Sequence, residues 1–242
     1  MAKTITTVGG AQVDTAQSVF GGASCFLDGD GDYLTTPDHA DFTFGSADFT
    51  IEARMRIAAE LVIAPGILGH GSRSGGHTNT GWVWCYIPTL DILEFYYSTD
   101  GGTGTAVALQ VTWNPSLDTW YHMAVVRNGN NLYFFVDGTQ VGSTQDMTGV
   151  TIFNSTFDLW VGAYPVNAGT PNLGGYHDGW FDEIRISDTA RWTSGFTPAA
   201  AAYTWDSNTK LLIHADGSDA STSFTDDDTA PATAGGKFLS VF

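Results

Sequence analysis

Lysine is scarce in this chain and so is glutamate: only four of the 26 acidic residues are Glu. Those two types populate helix surfaces, whereas Asp, Gly, Thr and Asn suit turns and strand faces, so the shortage argues against a helical protein. Basic residues number nine in all, which leaves a formal net charge of −17 over 242 residues. Such a chain repels phosphate backbones and anionic lipid heads, so nucleic acid and membrane surfaces are excluded as partners. The acidity fits a saline or divalent-rich setting, or simply solubility. Cysteine occurs only as Cys25 and Cys85, each inside an apolar stretch. A secreted disulfide scaffold would carry more, and two buried thiols are expected instead. No apolar run is long enough to span a membrane, and the opening MAKTITTVGG has no signal core. The expectation is a protein made in the cytoplasm without a Sec-type signal and without membrane insertion.

What the chain has in quantity is apolar and aromatic side chains, 43% and 13% of its residues, enough to fill one large sandwich core. Its dominant pattern has period two. Over 49–57, Phe49, Ile51, Ala53, Met55 and Ile57 alternate with Thr50, Glu52, Arg54 and Arg56, the pattern of a half-buried strand. The stretch 119–127 is apolar on both faces at its centre. Asn128-Gly129-Asn130, a strand over 131–136, Asp137-Gly138 and a short strand over 139–143 follow it. The Asn-Gly and Asp-Gly pairs tolerate the positive φ that hairpin turns need. Further strands are predicted at 24–28, 32–36, 82–87, 92–98, 106–112, 157–163, 180–187 and 210–215, with single helical turns at 188–192 and 198–203. Many short strands with Gly- and Asp-rich turns imply an all-β sandwich or barrel. No linker or repeat is visible, so 1–242 reads as one domain. Two stretches, 58–80 and 164–179, read as long loops, suited to binding or merely to connection.

Three segments carry a resemblance. The first runs from Gly21-Gly22-Ala23-Ser24 through Leu27-Asp28-Gly29-Asp30-Gly31-Asp32-Tyr33-Leu34 to Asp48-Phe49-Thr50-Ile51-Glu52. The second is Trp120-Tyr121-His122-Met123-Ala124-Val125 with Leu132-Tyr133-Phe134-Phe135-Val136-Asp137-Gly138. The third is Gly179-Trp180-Phe181-Asp182-Glu183-Ile184-Arg185-Ile186-Ser187, followed by Ala190-Arg191-Trp192 and Phe196-Thr197-Pro198. In this order they resemble laminin G-like domains of the concanavalin A-like lectin/glucanase superfamily, in the form found in tailed-phage and other virion proteins. The resemblance implies a two-sheet antiparallel jelly-roll sandwich. It also implies a circular permutation, because a strand like Lys210–Asp216 opens the domain in that family and here lies near the C-terminus. Residues 210–216 are expected to supply the missing first strand. They would do so in the same molecule, with 188–209 crossing the sandwich, or in a neighbouring subunit by strand addition.

The superfamily contains glucanases, which carry Glu-x-Asp-x-(x)-Glu on one strand. The nearest segment here is Thr89-Leu90-Asp91-Ile92-Leu93-Glu94, with Thr89 where the nucleophilic Glu belongs. In a regular strand Asp91 and Glu94 would point to opposite faces, whereas a retaining mechanism needs carboxyls roughly 5 Å apart. No G-x-S-x-G elbow or H-E-x-x-H pair is present. His70 and His77 read as exposed polar residues of one loop, and His122 as a hydrogen-bonded structural histidine.

The resemblance also suggests calcium. Relatives hold a structural Ca²⁺ at the Asp matching Asp182. Strand alternation puts Asp182 on the face of Ile184 and Ile186, where a carboxylate needs a partner. The expected oxygen shell draws on Asp28, Asp30 and Asp216 and nearby carbonyls; alternatively Asp182 only accepts backbone N–H bonds. For a glycan, Trp82, Trp84 and Tyr86 share one strand face and Val83, Cys85 and Ile87 the other. Turned outward, the aromatic face is a stacking platform; turned inward, it is core, the commoner fate of large rings. Tyr176, His177 and Asp178, with Trp180, form a second candidate cluster. The expected function is a non-catalytic recognition or structural module. It would be a virion-surface protein, a head decoration or tail-fibre component, contacting glycan or capsid protein and able to form a homo-oligomer. Outside a virus the location would be extracellular. The alternatives are a free carbohydrate-binding module and a glycoside hydrolase.

Overall fold

The computed structural model describes residues 2–59, 64–73, 79–167, 170–171 and 175–227. Its strands are β1 (Thr6–Val8), β2 (Gln12–Asp14), β3 (Ser24–Asp28), β4 (Tyr33–Thr36), β5 (Phe49–Ile57), β6 (Gly66–His70), β7 (Trp82–Ile87), β8 (Ile92–Tyr97) and β9 (Val107–Thr112). They continue with β10 (Trp120–Asn128), β11 (Asn131–Val136), β12 (Thr139–Asp146), β13 (Leu159–Val161), β14 (Pro165–Asn167), β15 (Thr170–Pro171), β16 (Asp178–Ser187) and β17 (Thr209–Ile213). One antiparallel sheet has the order β1-β4-β13-β6-β7-β8-β9. The other runs β12-β11-β10-β5-β16-β3-β2, with β17 beside β16, while β14 and β15 pair apart. The fold is all-β, as the alternation predicts, and a two-sheet antiparallel sandwich, as the resemblance implies.

Turn chemistry sets the central meander. Gly129 (φ +56°) opens the two-residue turn between β10 and β11, and Asp137 and Gly138 (φ +48° and +74°) make the next. Positive φ at these positions matches the right-handed twist of the flanking strands. Between the sheets, Phe49, Ile51, Met55, Trp82, Trp84, Phe95, Phe134 and Phe181 share one apolar core. Both cysteines are buried and free, and burial pushes their thiols up.

Several local expectations need correction. The stretch 58–80 holds β6, which is buried throughout and lies inside the seven-stranded sheet. Its Gly-rich sequence resembles a loop, yet a Cβ at Gly66 would collide with the Ala163 carbonyl, so close packing demands the glycine. His70 is therefore buried, bonded to Asp38 (Nε2 to Oδ1, 2.9 Å), rather than exposed. His77 lies outside the described residues. No helical turn forms at 188–192 or 198–203; the short 3₁₀ turns are at Ala40–Phe42, Pro88–Leu90 and Thr103–Thr105. The 188–208 connection does not cross to the other sheet, because β16 and β17 are neighbours in one sheet (Arg185 opposite Leu212).

Candidate functional site

The outward face of the eight-stranded sheet concentrates polar chemistry, and a bulge in β16 decides which residues reach it. Asp182 is the register partner of Arg54, and Arg185 that of Glu52, so Glu183 and Ile184 together stand opposite Ala53. Glu183 takes the left-handed conformation, φ +51°. The extra residue resets the in/out rhythm. Phe181, Ile184 and Ile186 all join the core, while Asp182 and Arg185 turn outward with Arg54 and Glu52. Asp182 therefore does not share a face with Ile184 and Ile186.

Asp182 is nevertheless fully buried, because residues 15–22 fold over it. Its Oδ2 accepts the N–H groups of Val19 (2.7 Å) and Phe20 (3.1 Å). Its Oδ1 is buried with no hydrogen-bond partner among the described residues. Burial pushes the carboxyl up to about 7 despite those two bonds, and the charges of Glu183 and Asp216 add to the rise. The Asp216 carboxylate lies against Gly21, where any side chain would collide with it. Asp182 and Asp216 thus come together beneath one loop, and Asp28 and Asp30 do not join them. Asp28 is paired with Asp178, four residues along β16 from Asp182, about 13 Å away at the usual rise per residue. Its Oδ1 accepts the Asp30 N–H (2.8 Å), so these two build their own turn. Among the described residues, no group of three or more His, Cys, Asp or Glu side chains is arranged to hold a metal ion.

Much of the rest of that face, over Glu52, His122 and Arg185, is covered by 188–205. Glu52 is fully buried and holds Arg185 (Oε1 to Nε, 2.8 Å) and His122 (Oε2 to Nε2, 3.0 Å). Burial pushes its carboxyl up, but the hydrogen bond from His122 and the charge of Arg185 hold it below the ordinary range. The guanidinium of Arg185 sits 4.2 Å from the Tyr203 ring centre. The rings of Trp192 and Phe196 meet His122 edge-on at 5.7 and 5.5 Å. Backbone groups of the cover bond to the sheet instead of to one another: Arg191 N–H to Thr50 Oγ1, Tyr203 N–H to Glu183 Oε2, Phe196 N–H to the Gly138 carbonyl. Those bonds explain why no helical turn forms there. Nothing in a simple alternation pattern reveals this cover; the signal lay in Trp192, Phe196 and Tyr203 following a strand with charged outward positions.

The aromatic candidates are placed as follows. Trp82 and Trp84 are fully buried and Tyr86 nearly so, all in the inter-sheet core. Trp82 Nε1 donates to the Phe42 carbonyl (3.0 Å). This strand face therefore offers no stacking platform, because the apolar interior claims its large rings. Tyr176 is buried near Tyr33, whose ring stacks on Trp160 at 4.2 Å and 4°. His177 is buried against the Arg56 carbonyl (Nε2 to O, 3.2 Å), and burial pushes it down to about 4, so it is neutral near pH 7. Asp178 alone of the three keeps partial access to solvent.

A family model described as the concanavalin A-like lectin/glucanases superfamily, of laminin G type, matches residues 28–194. The chain belongs to that superfamily. No curated protein matches its sequence. Among solved structures, the binding domain of Paraclostridial Mosquitocidal Protein 1 is similar at TM-score 0.58 and 13% identity, over 78% of this chain and 44% of that one. A Bacteroides ovatus protein provisionally named a carbohydrate-binding protein is similar at TM-score 0.53 and 16% identity, over 90% of this chain and 53% of that one. The ligand-binding domain of botulinum neurotoxin serotype D, solved with N-acetylneuraminic acid, is similar at TM-score 0.56 and 11% identity, over 78% and 43%. These identities speak for the fold alone, and the chain spans only about half the length of those relatives, or less. In this superfamily member the residues nearest a glucanase triad are used structurally. Asp91 caps a 3₁₀ turn at φ +52°, its Oδ1 accepting the Tyr86 hydroxyl (3.3 Å). Glu94 is buried, held by Arg73 Nε (2.6 Å) and Gln110 Nε2 (2.5 Å).

Proposed function

We propose that this superfamily domain is a non-catalytic recognition module whose ligand is a glycan, free or displayed on a receptor. The observation that carries the reading is where the acids go. Glu52, Glu94 and Glu183 are all buried, and each is held by cationic or N–H donors. A glycosidase needs two carboxyls facing each other across a bound sugar, and these glutamates are engaged in holding the fold. Similarity of fold to a neurotoxin ligand-binding domain solved with N-acetylneuraminic acid supports the same reading. A net charge of −17 disfavours polyanionic partners.

Structural calcium is part of this proposal. The buried, unpartnered Oδ1 of Asp182 is the acceptor such an ion would take, with the Asp216 carboxylate as its second protein ligand. The ion would neutralise two neighbouring carboxylates and pin the loop over the sheet; it would activate no water. The wider setting we propose is a virion surface, as a head-decoration or tail-fibre subunit, resting on the resemblance of three segments to virion proteins. Detection in purified particles tests it. A glycan array run with and without EGTA, beside a reducing-end release assay, tests ligand class, cation dependence and catalysis together. Array hits without sugar release are expected. Release of reducing ends that one carboxylate substitution abolishes would overturn the reading.

A further inference from the structure

The cover over the eight-stranded sheet stops one row short. Gln12, Phe26, Trp180, Arg56 and Trp120 are successive register partners across β2, β3, β16, β5 and β10. They stand side by side on the outward face, and every one is half-buried. At the usual inter-strand spacing of ~4.8 Å, the row is about 19 Å long. Its three central members fix one another. Phe26 and Trp180 rings lie 5.2 Å apart, and the Arg56 guanidinium is 4.6 Å from the Trp180 ring centre. Trp180 Nε1 donates to Asp14 Oδ2 (2.6 Å), and Arg56 pairs with Asp118 (3.0 Å). A ligand meeting Phe26, Trp180 and Arg56 need not pay to order them.

Beside the rings stands Asp178, outward like Trp180 and directly opposite Asp28. Its carboxylate takes no donor from the described residues, and burial and Asp28 both raise its affinity for a proton. Rings spaced along a rigid strip, with an unmet acceptor at their margin, match a molecule that has apolar faces and hydroxyl edges. The geometry points to this row as the binding site for a neutral oligosaccharide chain, its ring faces on Phe26, Trp180 and Trp120 and its hydroxyls on Asp178 and the Gln12 amide. Arg56 is already neutralised by Asp118, and flanking carboxylates repel acidic sugars. This inference rests on the glycan-recognition reading and deepens it by naming the site and the class of sugar.

Titration of tryptophan fluorescence tests it, with neutral gluco-, xylo-, manno- and galacto-oligosaccharides of increasing length and, as an anionic arm, hyaluronan and heparin oligosaccharides. At least one neutral series should bind, tightening with length until the row is filled and unaffected by EGTA. Trp180→Ala and Trp120→Ala should each weaken that binding about tenfold or more, the scale expected when a stacked ring is removed. Asp178→Asn should weaken it less. Near-UV circular dichroism identifies folded variants, and Trp120→Ala remains the test if Trp180→Ala unfolds. Unchanged affinity in a folded Trp120→Ala protein overturns the row while leaving glycan recognition standing. Binding to anionic oligosaccharides alone overturns the neutral-sugar assignment. No binding to either arm overturns the site and the broader reading together.

Discussion

The row Trp180–Arg56–Trp120 and the row beside it, Asp182–Arg54–His122, sit on the same strands about 7 Å apart, and they invert the usual relation between polarity and burial. Asp182 and His122 are buried, as are Glu52 and Arg185 one row further on. The rings of Trp180 and Trp120 are left half in water. Segments 15–22 and 188–205 make the difference by roofing one part of the face. A roofed charge must find a partner or be neutralised, a carboxylate by keeping its proton and a histidine by losing one. An unroofed ring on a rigid sheet is surface available for contact. One sheet face thus serves two ends, stability where it is covered and recognition where it is open.

Four substitutions can break or sharpen that contrast. The largest effect should come from Glu52→Ala, which strands Arg185 and His122 without their shared anion; a loss of about 3–5 kcal/mol is expected by urea denaturation. Asp182→Asn should act in the opposite direction. Because burial raises this carboxyl from 3.8 to about 7, the native state keeps a proton that the unfolded chain has released, and stability falls as pH rises from about 4 to about 7. In EGTA at pH 8, Asp182→Asn should therefore be the more stable protein by about 2–4 kcal/mol, and the two should converge near pH 4. Calcium should close the gap by stabilising only the wild type, as melting curves would show. Phe196→Ala removes part of the roof over His122 and Phe135 and should cost about 2 kcal/mol. The smallest loss, about 1 kcal/mol or less, belongs to Trp120→Ala in the open row. Should Trp120→Ala destabilise more than Phe196→Ala, the open row would be structural and the division of the face would fail.

Strands were legible wherever a simple rhythm and turn residues coincided. Phe49 to Ile57, and the hairpins at Gly129 and Asp137-Gly138, are where alternation and positive-φ residues place them. β6 was not, because Gly66 and Gly69 lower strand propensity while meeting a packing need visible only in three dimensions. The bulge at Glu183 was illegible for another reason: a non-glycine residue in the left-handed region carries no mark in sequence, and missing it put Asp182 on the wrong face. The grouping of Asp28 and Asp30 with Asp182 failed on distance along β16, while the pairing of Asp182 with Asp216 depended on Gly21, which no periodicity signals. The open row lay hidden too, since only strand register reveals that Phe26, Trp180 and Trp120 are neighbours.

The described ends of the chain run against each other. Thr4 bridges Thr225, Val13 exchanges two backbone hydrogen bonds with Ser221 and Ala220, and the Lys3 N–H reaches Asp226. Residues 2 and 227 leave this seam at the same end, so tension between them opens it one link at a time, as a zipper parts, and meets little mechanical resistance. The first strands to be freed would be β1 and β2, one from the rim of each sheet. Gln12 rides on β2, so a pull of that kind would dismantle the row of rings from its edge while the central strands stayed paired.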